Sequence, residues 1–381
     1  NELLYVGFNQ DNGCFACGTE SGFRAYNVDP FREFFRNVFK EGGIGIVEML
    51  YRCNIMALVG GGRNPLYPVN KVMIWDNEIH RCIGELMFKN EVKAVKLRRD
   101  HVVVVLLQKV YVYRFSDLKL LDQITTLPNV RGLVSLCPDS SHTVLACPGI
   151  QKGTIRVELY DISKAMLIKA HDSDLAQIAL NIDGRYIRIA SASDKGTLIR
   201  VWDCASGELL RELRRGVDRA EIYCLCFNPL STFLACSSDK GTVHIFSLTD
   251  AVSNNVGMVP NESGGASARS GAPVGGGAAA ASNVSGVRGA EGSEQDPSNA
   301  RSGLAFIKDL LPASIVPKYL VSEWSYAQVR GLEGKCICAF DRDSSKIIVI
   351  CANGTFLTSS YEEGGECERL TFAKFVKSDS E

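Results

Sequence analysis

Ser193-Asp194-Lys195-Gly196-Thr197-Leu198-Ile199-Arg200-Val201-Trp202 is answered about 45 residues later by Ser238-Asp239-Lys240-Gly241-Thr242-Val243-His244-Ile245-Phe246. Both copies carry Ser-Asp-Lys-Gly-Thr ahead of an apolar run, and a turn-plus-strand unit recurring at that interval has the period of a propeller blade. Between them lies Arg211-Glu212-Leu213-Arg214-Arg215-Gly216-Val217-Asp218-Arg219, which falls on the connection between the two blades. Neighbouring side chains on extended backbone point to opposite sides, so Arg214 is expected to serve one groove and Arg215 the other, both at the surface. Two hydroxyl- and lysine-lined pockets, each given one arginine, suit two phosphorylated groups.

The same cadence runs through the rest of the chain. Cys14 to Thr19 reads as a strand, Glu20-Ser21-Gly22 as a turn and Phe23 to Asn27 as the next strand. Similar units follow at Ile55 to Gly60 with Val72 to Asp76, at Val102 to Leu107 with Val110 to Arg114, and at Val144 to Ala146 with Ile155 to Asp161. A last one joins Lys346 to Ala352 with Gly354 to Leu357. Strand, turn, and strand ending in an aromatic and often an Asp is the pattern of WD-type repeats.

One segment breaks it. From about Ala251 to Gly303 the chain is Gly, Ala, Ser and Asn with almost no large apolar side chain. It cannot bury enough surface to offset its ordering entropy and is expected to be a disordered loop. Removing it leaves roughly 330 residues, or about seven blades. The expected fold is therefore an all-β, seven-bladed β-propeller of WD-type repeats with one long disordered loop in the sixth blade. Residues 1–250 would form blades one to six in part, 251–318 the loop, and 319–381 the remainder of the sixth blade and the seventh. Within the loop, Leu304-Ala305-Phe306-Ile307-Lys308-Asp309-Leu310-Leu311 reads as a short amphipathic helix stopped by Pro312. Leu304, Phe306, Ile307, Leu310 and Leu311 are the candidates for insertion into a lipid interface, and the part nearest Trp324 is expected to pack on a neighbouring blade.

With 381 residues and a formal net charge of -1, bulk basicity of the kind that coats nucleic acid is excluded. Fourteen cysteines lie mostly inside apolar runs and fit buried free thiols in a reducing compartment. No apolar run spans a bilayer and the first residues read as a strand, so a cytosolic chain is expected. The missing initiator Met suggests that the true start lies upstream.

Leu213-Arg214-Arg215-Gly216 resembles the Phe/Leu-Arg-Arg-Gly motif of the PROPPINs, seven-bladed propellers that bind phosphoinositides and act in autophagy. Ala170-His171, Ser193 to Trp202, Ala220-Glu221-Ile222-Tyr223 and Ser237 to Phe246 are similar to that family's pattern in the same order. Pro317-Lys318-Tyr319 and Glu323-Trp324-Ser325 resemble the loop exit of the WIPI-three and WIPI-four branch. The resemblance implies two pockets for phosphatidylinositol 3-phosphate and phosphatidylinositol 3,5-bisphosphate. The first would use His171, Ser193, Thr197, Arg200 and Arg214; the second Arg215, Arg219, Ser238, Thr242 and His244. Each histidine would add a donor that becomes cationic at mildly acid pH. The resemblance also implies a monomer, peripheral on autophagosomal precursor and endosomal or vacuolar membranes. It further implies docking of an autophagy lipid-transfer protein, or other autophagy proteins, on the early blades, where Asn9 and Asp11 match. The loop is longer and richer in Gly and Ala than the family's, Arg185 to Ala190 carries charges where the family strand is apolar, and Asp218 and Glu221 lie near the second pocket.

The plain alternative for Arg214-Arg215 is a solvated turn; for His171 and His244 it is a structural histidine bonded to a core carboxylate; for Asn9 and Asp11 it is an ordinary turn. An enzyme is not expected. Cys336 to Arg342 has a cysteine-phosphatase spacing but no glycine inside to cradle phosphate. Cys14 and Cys17 lack a second pair for zinc, and Gly42 to Gly45 and Gly60 to Arg63 lack the lysine and helix of a nucleotide loop. No cofactor or metal is called for. The competing reading is a WD-type protein–protein interaction scaffold without lipid binding.

Overall fold

The computed structural model describes residues 3–40, 42–182, 187–249, 299 and 323–376. They form seven sheets arranged as blades, antiparallel except for one short parallel addition to each of two of them, with no α-helix among the described residues. The first blade is Leu3–Phe8, Cys14–Thr19, Gly22–Asn27 and Arg32–Val38, paired in that order. Its two middle strands are largely buried, its innermost strand is half-buried along the central channel, and its outer strand alternates exposed and half-buried residues, the period-two pattern of a sheet edge facing solvent. Each following blade repeats the plan. The fifth contains Leu175–Leu180, Arg188–Ser193, Leu198–Asp203 and Leu209–Arg214; the sixth opens with Ile222–Phe227, Phe233–Ser238 and Val243–Ser247.

The core lies between blades rather than at a single centre. One cluster joins Ile199, Val201 and Leu213 of the fifth blade to Ile222, Phe227, Leu234 and Phe246 of the sixth. Such fully buried side chains each contribute roughly 1.5–3 kcal/mol. The innermost strands surround a central channel of about 520 Å³.

The ring closes by side-chain packing. Phe15 and Tyr26 of the first blade pack with Ile348, Ile350, Phe356 and Phe375 of the last, and the Tyr26 hydroxyl donates to the Phe375 carbonyl at 3.1 Å. Asp11 adds a polar clasp, accepting from Arg52 at 3.3 Å and from Arg342 of the seventh blade.

The sixth blade is interrupted between Val243–Ser247 and its outer strand, Ala327–Val329. The intervening low-complexity stretch, including Leu304, Phe306, Ile307, Leu310 and Leu311, lies outside the described residues, as do Arg185 and Tyr186. Where the chain returns, Glu323–Trp324 first pairs in parallel with the outer strand of the fifth blade, Leu213 against Glu323 and Arg214 against Trp324. Glu323 is held there by Arg211 at 3.0 Å and Asn299 at 2.7 Å. All 14 cysteines are free.

Candidate phosphate-binding grooves

Strand register decides which side chains meet. In the fifth blade Ser191 is the partner of Arg200, Arg200 of Glu212, and Leu198 of Arg214. Directly paired residues share a face, so all five lie on one side of this sheet. Leu213 projects to the other side, into the core shared with the sixth blade, which turns the Arg214 face toward the fourth. Arg215 takes the opposite course. Its Nε donates to the Gly196 carbonyl at 2.7 Å and its Nη2 to the Asp218 carbonyl, and its charge acts on His244 of the sixth blade.

On the first side, His171 is only 5% exposed, and its Nε2 lies 3.0 Å from Ser191 Oγ, which also accepts from Trp202 Nε1 at 3.0 Å. The partner is a hydroxyl, not the core carboxylate considered from sequence. Burial and the nearby Arg200 pull the His171 pKa down to about 4, so the ring stays neutral at mildly acid pH, against the expectation of a cation. Arg200 donates to Glu212 at 2.8 Å and to the Ala170 carbonyl at 2.7 Å. Ser193 is buried and Thr197 half-buried at the turn. Arg214 differs from these, because its Nε is buried with no hydrogen-bond partner among the described residues.

On the second side, Ser238 and His244 are buried. His244 Nδ1 lies 3.2 Å from Ser325 Oγ, which accepts from Gln328 at 2.8 Å. Burial, then Arg215 and Arg330, depress its pKa to about 4. Thr242 is half-buried beside the turn. Arg215 is 6% exposed, which corrects the expectation that both arginines lie at the surface: its guanidinium is drawn in because two backbone carbonyls compensate its lost hydration. Arg219, with its side chain 74% exposed, reaches back to Asp194 of the first repeat at 2.9 Å rather than toward His244.

Asn9 is buried and stitches its own turn, accepting from Cys14 N at 3.0 Å and donating to the Tyr51 carbonyl at 3.1 Å. The Asp11 side chain is 25% exposed. Burial opposes its charge, but the Arg342 hydrogen bond and its allies outweigh that and hold the carboxyl below its ordinary value. Cys336–Phe340 is a buried strand, and no cluster of three metal-ligating side chains occurs among the described residues.

Sequence reasoning did not single out Ser191, Glu212, Ser325 or Gln328. Ser191 and Glu212 stand at cross-strand positions opposite Arg200, a signal available once the register is known. Two hollows are not lined by the paired arginines: the central channel, and a groove of about 540 Å³ bordered by Val130, Lys152, Asp174 and Asp194.

The model of the PROPPIN family matches residues 3–309. Autophagy-related protein 18e of Arabidopsis thaliana is 44% identical over 249 residues, covering 65% of this chain and 66% of that protein, slightly under two thirds of its length. SVP1-like protein 2 of Candida glabrata is 34% identical over 359 residues, covering 85% of this chain and 75% of that protein. Among solved structures, Hsv2 of Kluyveromyces lactis superposes with a TM-score of 0.71 at 21% identity, covering 99% of this chain and all of that one. KlAtg21, solved with the coiled-coil of AgAtg16, does so with 0.70 at 24% identity over 99% of this chain. The two solved structures share this fold, and the chain belongs to the PROPPIN family.

Proposed function

We propose that this propeller is a non-catalytic, phosphoinositide-binding membrane effector and scaffold in autophagy. It recognises phosphatidylinositol 3-phosphate and phosphatidylinositol 3,5-bisphosphate through two grooves flanking Arg214-Arg215. The observation that carries this reading is the delivery of consecutive arginines to opposite sides of one blade, Arg214 to the face that holds a buried histidine and serine and Arg215 to within charge reach of a second buried histidine. Arg214 shares a side with His171, Ser193 and Arg200, and the charge of Arg215 acts on His244, in the blade that also carries the buried Ser238. Guanidinium forks and hydroxyl donors are the groups that grip a phosphate monoester. Thr197 and Thr242 add hydroxyls at the two turns, and Arg219 adds charge near Asp194. Two modest sites on one rigid edge capture two lipids of the same membrane, so the second capture is intramolecular and avidity follows.

In this reading Leu304, Phe306, Ile307, Leu310 and Leu311 supply hydrophobic anchoring. The protein acts as a monomer, peripheral on autophagosomal precursor and endosomal or vacuolar membranes. Early blades around Asn9 and Asp11 stay free for an autophagy lipid-transfer protein or other autophagy proteins, and the KlAtg21 complex is a precedent for a protein partner on this fold. Flotation with vesicles containing phosphatidylinositol 3-phosphate, phosphatidylinositol 4-phosphate or no phosphoinositide tests the proposal. Selective flotation lost in Arg214→Gln supports it; equal flotation on all three membranes overturns phosphoinositide recognition, and none on any returns the chain to the protein-scaffold reading.

A further inference from the structure

Two of the buried side-chain nitrogens that lack a hydrogen-bond partner among the described residues are Arg214 Nε and Trp324 Nε1. They are not scattered. Arg214 and Trp324 are direct partners in the parallel pairing of Leu209–Arg214 with Glu323–Trp324, so their side chains leave neighbouring strands on the same face. That face is the one shared with Leu198, Arg200 and Glu212. A buried donor left unpaired costs about 1–3 kcal/mol, and two at adjoining positions mark a place built for an acceptor. Both are donors and one is cationic, so the acceptor they fit is an anion. Glu212, a carboxylate on this face, is already engaged by Arg200 at 2.8 Å, which limits the repulsion an incoming phosphate meets.

We propose that Trp324 belongs to the first groove, donating its indole N–H to the same phosphate monoester that Arg214 binds. The strand by which the chain returns from the insertion is then part of the ligand site. This rests on the phosphoinositide reading and deepens it. Because Glu323 is pinned by Arg211 and Asn299, Trp324 is positioned by contacts outside the groove, and the return strand couples the insertion to head-group capture.

The experiment follows the indole resonances of ¹⁵N-labelled protein, which has three tryptophans, during titration with soluble inositol 1,3-bisphosphate, with inorganic phosphate in a parallel arm. Trp324→Phe assigns the signal and keeps the ring. The expected result is a downfield shift of the Trp324 indole proton with the head group. Head-group affinity in Trp324→Phe should fall about tenfold, as for loss of one hydrogen bond to a charged acceptor, with the melting temperature unchanged. Head-group binding that leaves the Trp324 resonance still and is equal in Trp324→Phe overturns the assignment while leaving the phosphoinositide function standing. An equal shift with the same concentration of inorganic phosphate overturns the lipid as the source of the anion. Absence of head-group binding by the unaltered protein, together with absence of flotation, overturns both.

Discussion

Replacing Arg215 by Gln should damage the fold where replacing Arg214 by Gln does not, although the two are neighbours in one motif. Arg215 is buried, donates to the carbonyls of Gly196 and Asp218, and thereby ties the Ser193 to Thr197 turn to the connection leading into the sixth blade. Hydrogen bonds from a charged donor contribute roughly 1.5–3 kcal/mol each, and relief of burying the charge offsets part of their loss. The net cost expected for Arg215→Gln is about 2–4 kcal/mol. Arg214 forms no such bond through Nε, so Arg214→Gln should change stability by less than about 1 kcal/mol, in the range of a substitution away from a buried network.

Urea unfolding followed by tryptophan fluorescence measures both, and exchange of the backbone amides of residues 215 and 220 localises the effect. Their N–H groups report the loosened segment, since Arg215 N bonds Thr197 O at 3.0 Å and Ala220 N bonds Lys195 O at 3.1 Å. Equal unfolding midpoints for the two variants would refute the structural role given to Arg215. The contrast also governs how vesicle experiments are read: lost flotation in a double arginine variant mixes a lost ligand contact with a loosened second groove, whereas loss in Arg214→Gln does not.

Acid should destabilise the protein through its two buried histidines. Each has a folded pKa of about 4 against an ordinary 6.5, so the unfolded chain binds the extra protons. Their neutral-form stability is present above pH 6.5 and lost as pH falls toward 4, by up to roughly 3 kcal/mol per residue; melting curves over that window should flatten in His171→Gln. Gly196→Ala should cost roughly 2 kcal/mol or more, because φ is +64° and an added Cβ would sit 2.0 Å from the Ala220 carbonyl oxygen; a melting temperature equal to the parent's counts against this. Asp11→Asn removes the charge joining Arg52 and Arg342 across the ring closure, and about 1 kcal/mol is expected in urea unfolding for so partly exposed a pair.

How much of this was legible in the chain follows from how local each feature is. The blade period, the Ser-Asp-Lys-Gly-Thr turns and the opposed directions of Arg214 and Arg215 are set by residues within a few positions of one another. Alternation on an extended backbone and the left-handed φ of Gly196 and Gly241 suffice to foresee them. The burial of Arg215 was not legible, because it depends on two carbonyls presented by separate turns. Nor was the attachment of Arg219 to Asp194, 25 positions away, or the clasp of Asp11 by Arg342 across the closed ring. The depressed histidine pKa values belong to the same class, since desolvation is produced by strands from other blades.

Trp324 is the sharpest case. From its neighbours it reads as the start of an outer strand for the sixth blade, and the strand that fills that role, Ala327–Val329, begins three residues later. Trp324 itself pairs with the fifth blade, in parallel, although more than a hundred residues separate it from Arg214. A parallel pair cannot be made by a tight turn and needs a long crossover, and the insertion in the sixth blade supplies one. A stretch whose composition promises no packed structure is thus what allows the returning chain to add a residue to a different blade. Shortening it below the span from Ser247 to Glu323 should strip Trp324 from Arg214 before it disturbs the sixth blade, whose own pairing of His244 with Gln328 lies beyond that point. A shortened chain that keeps an intact fold yet loses the Trp324 indole response would separate the two roles of the return strand.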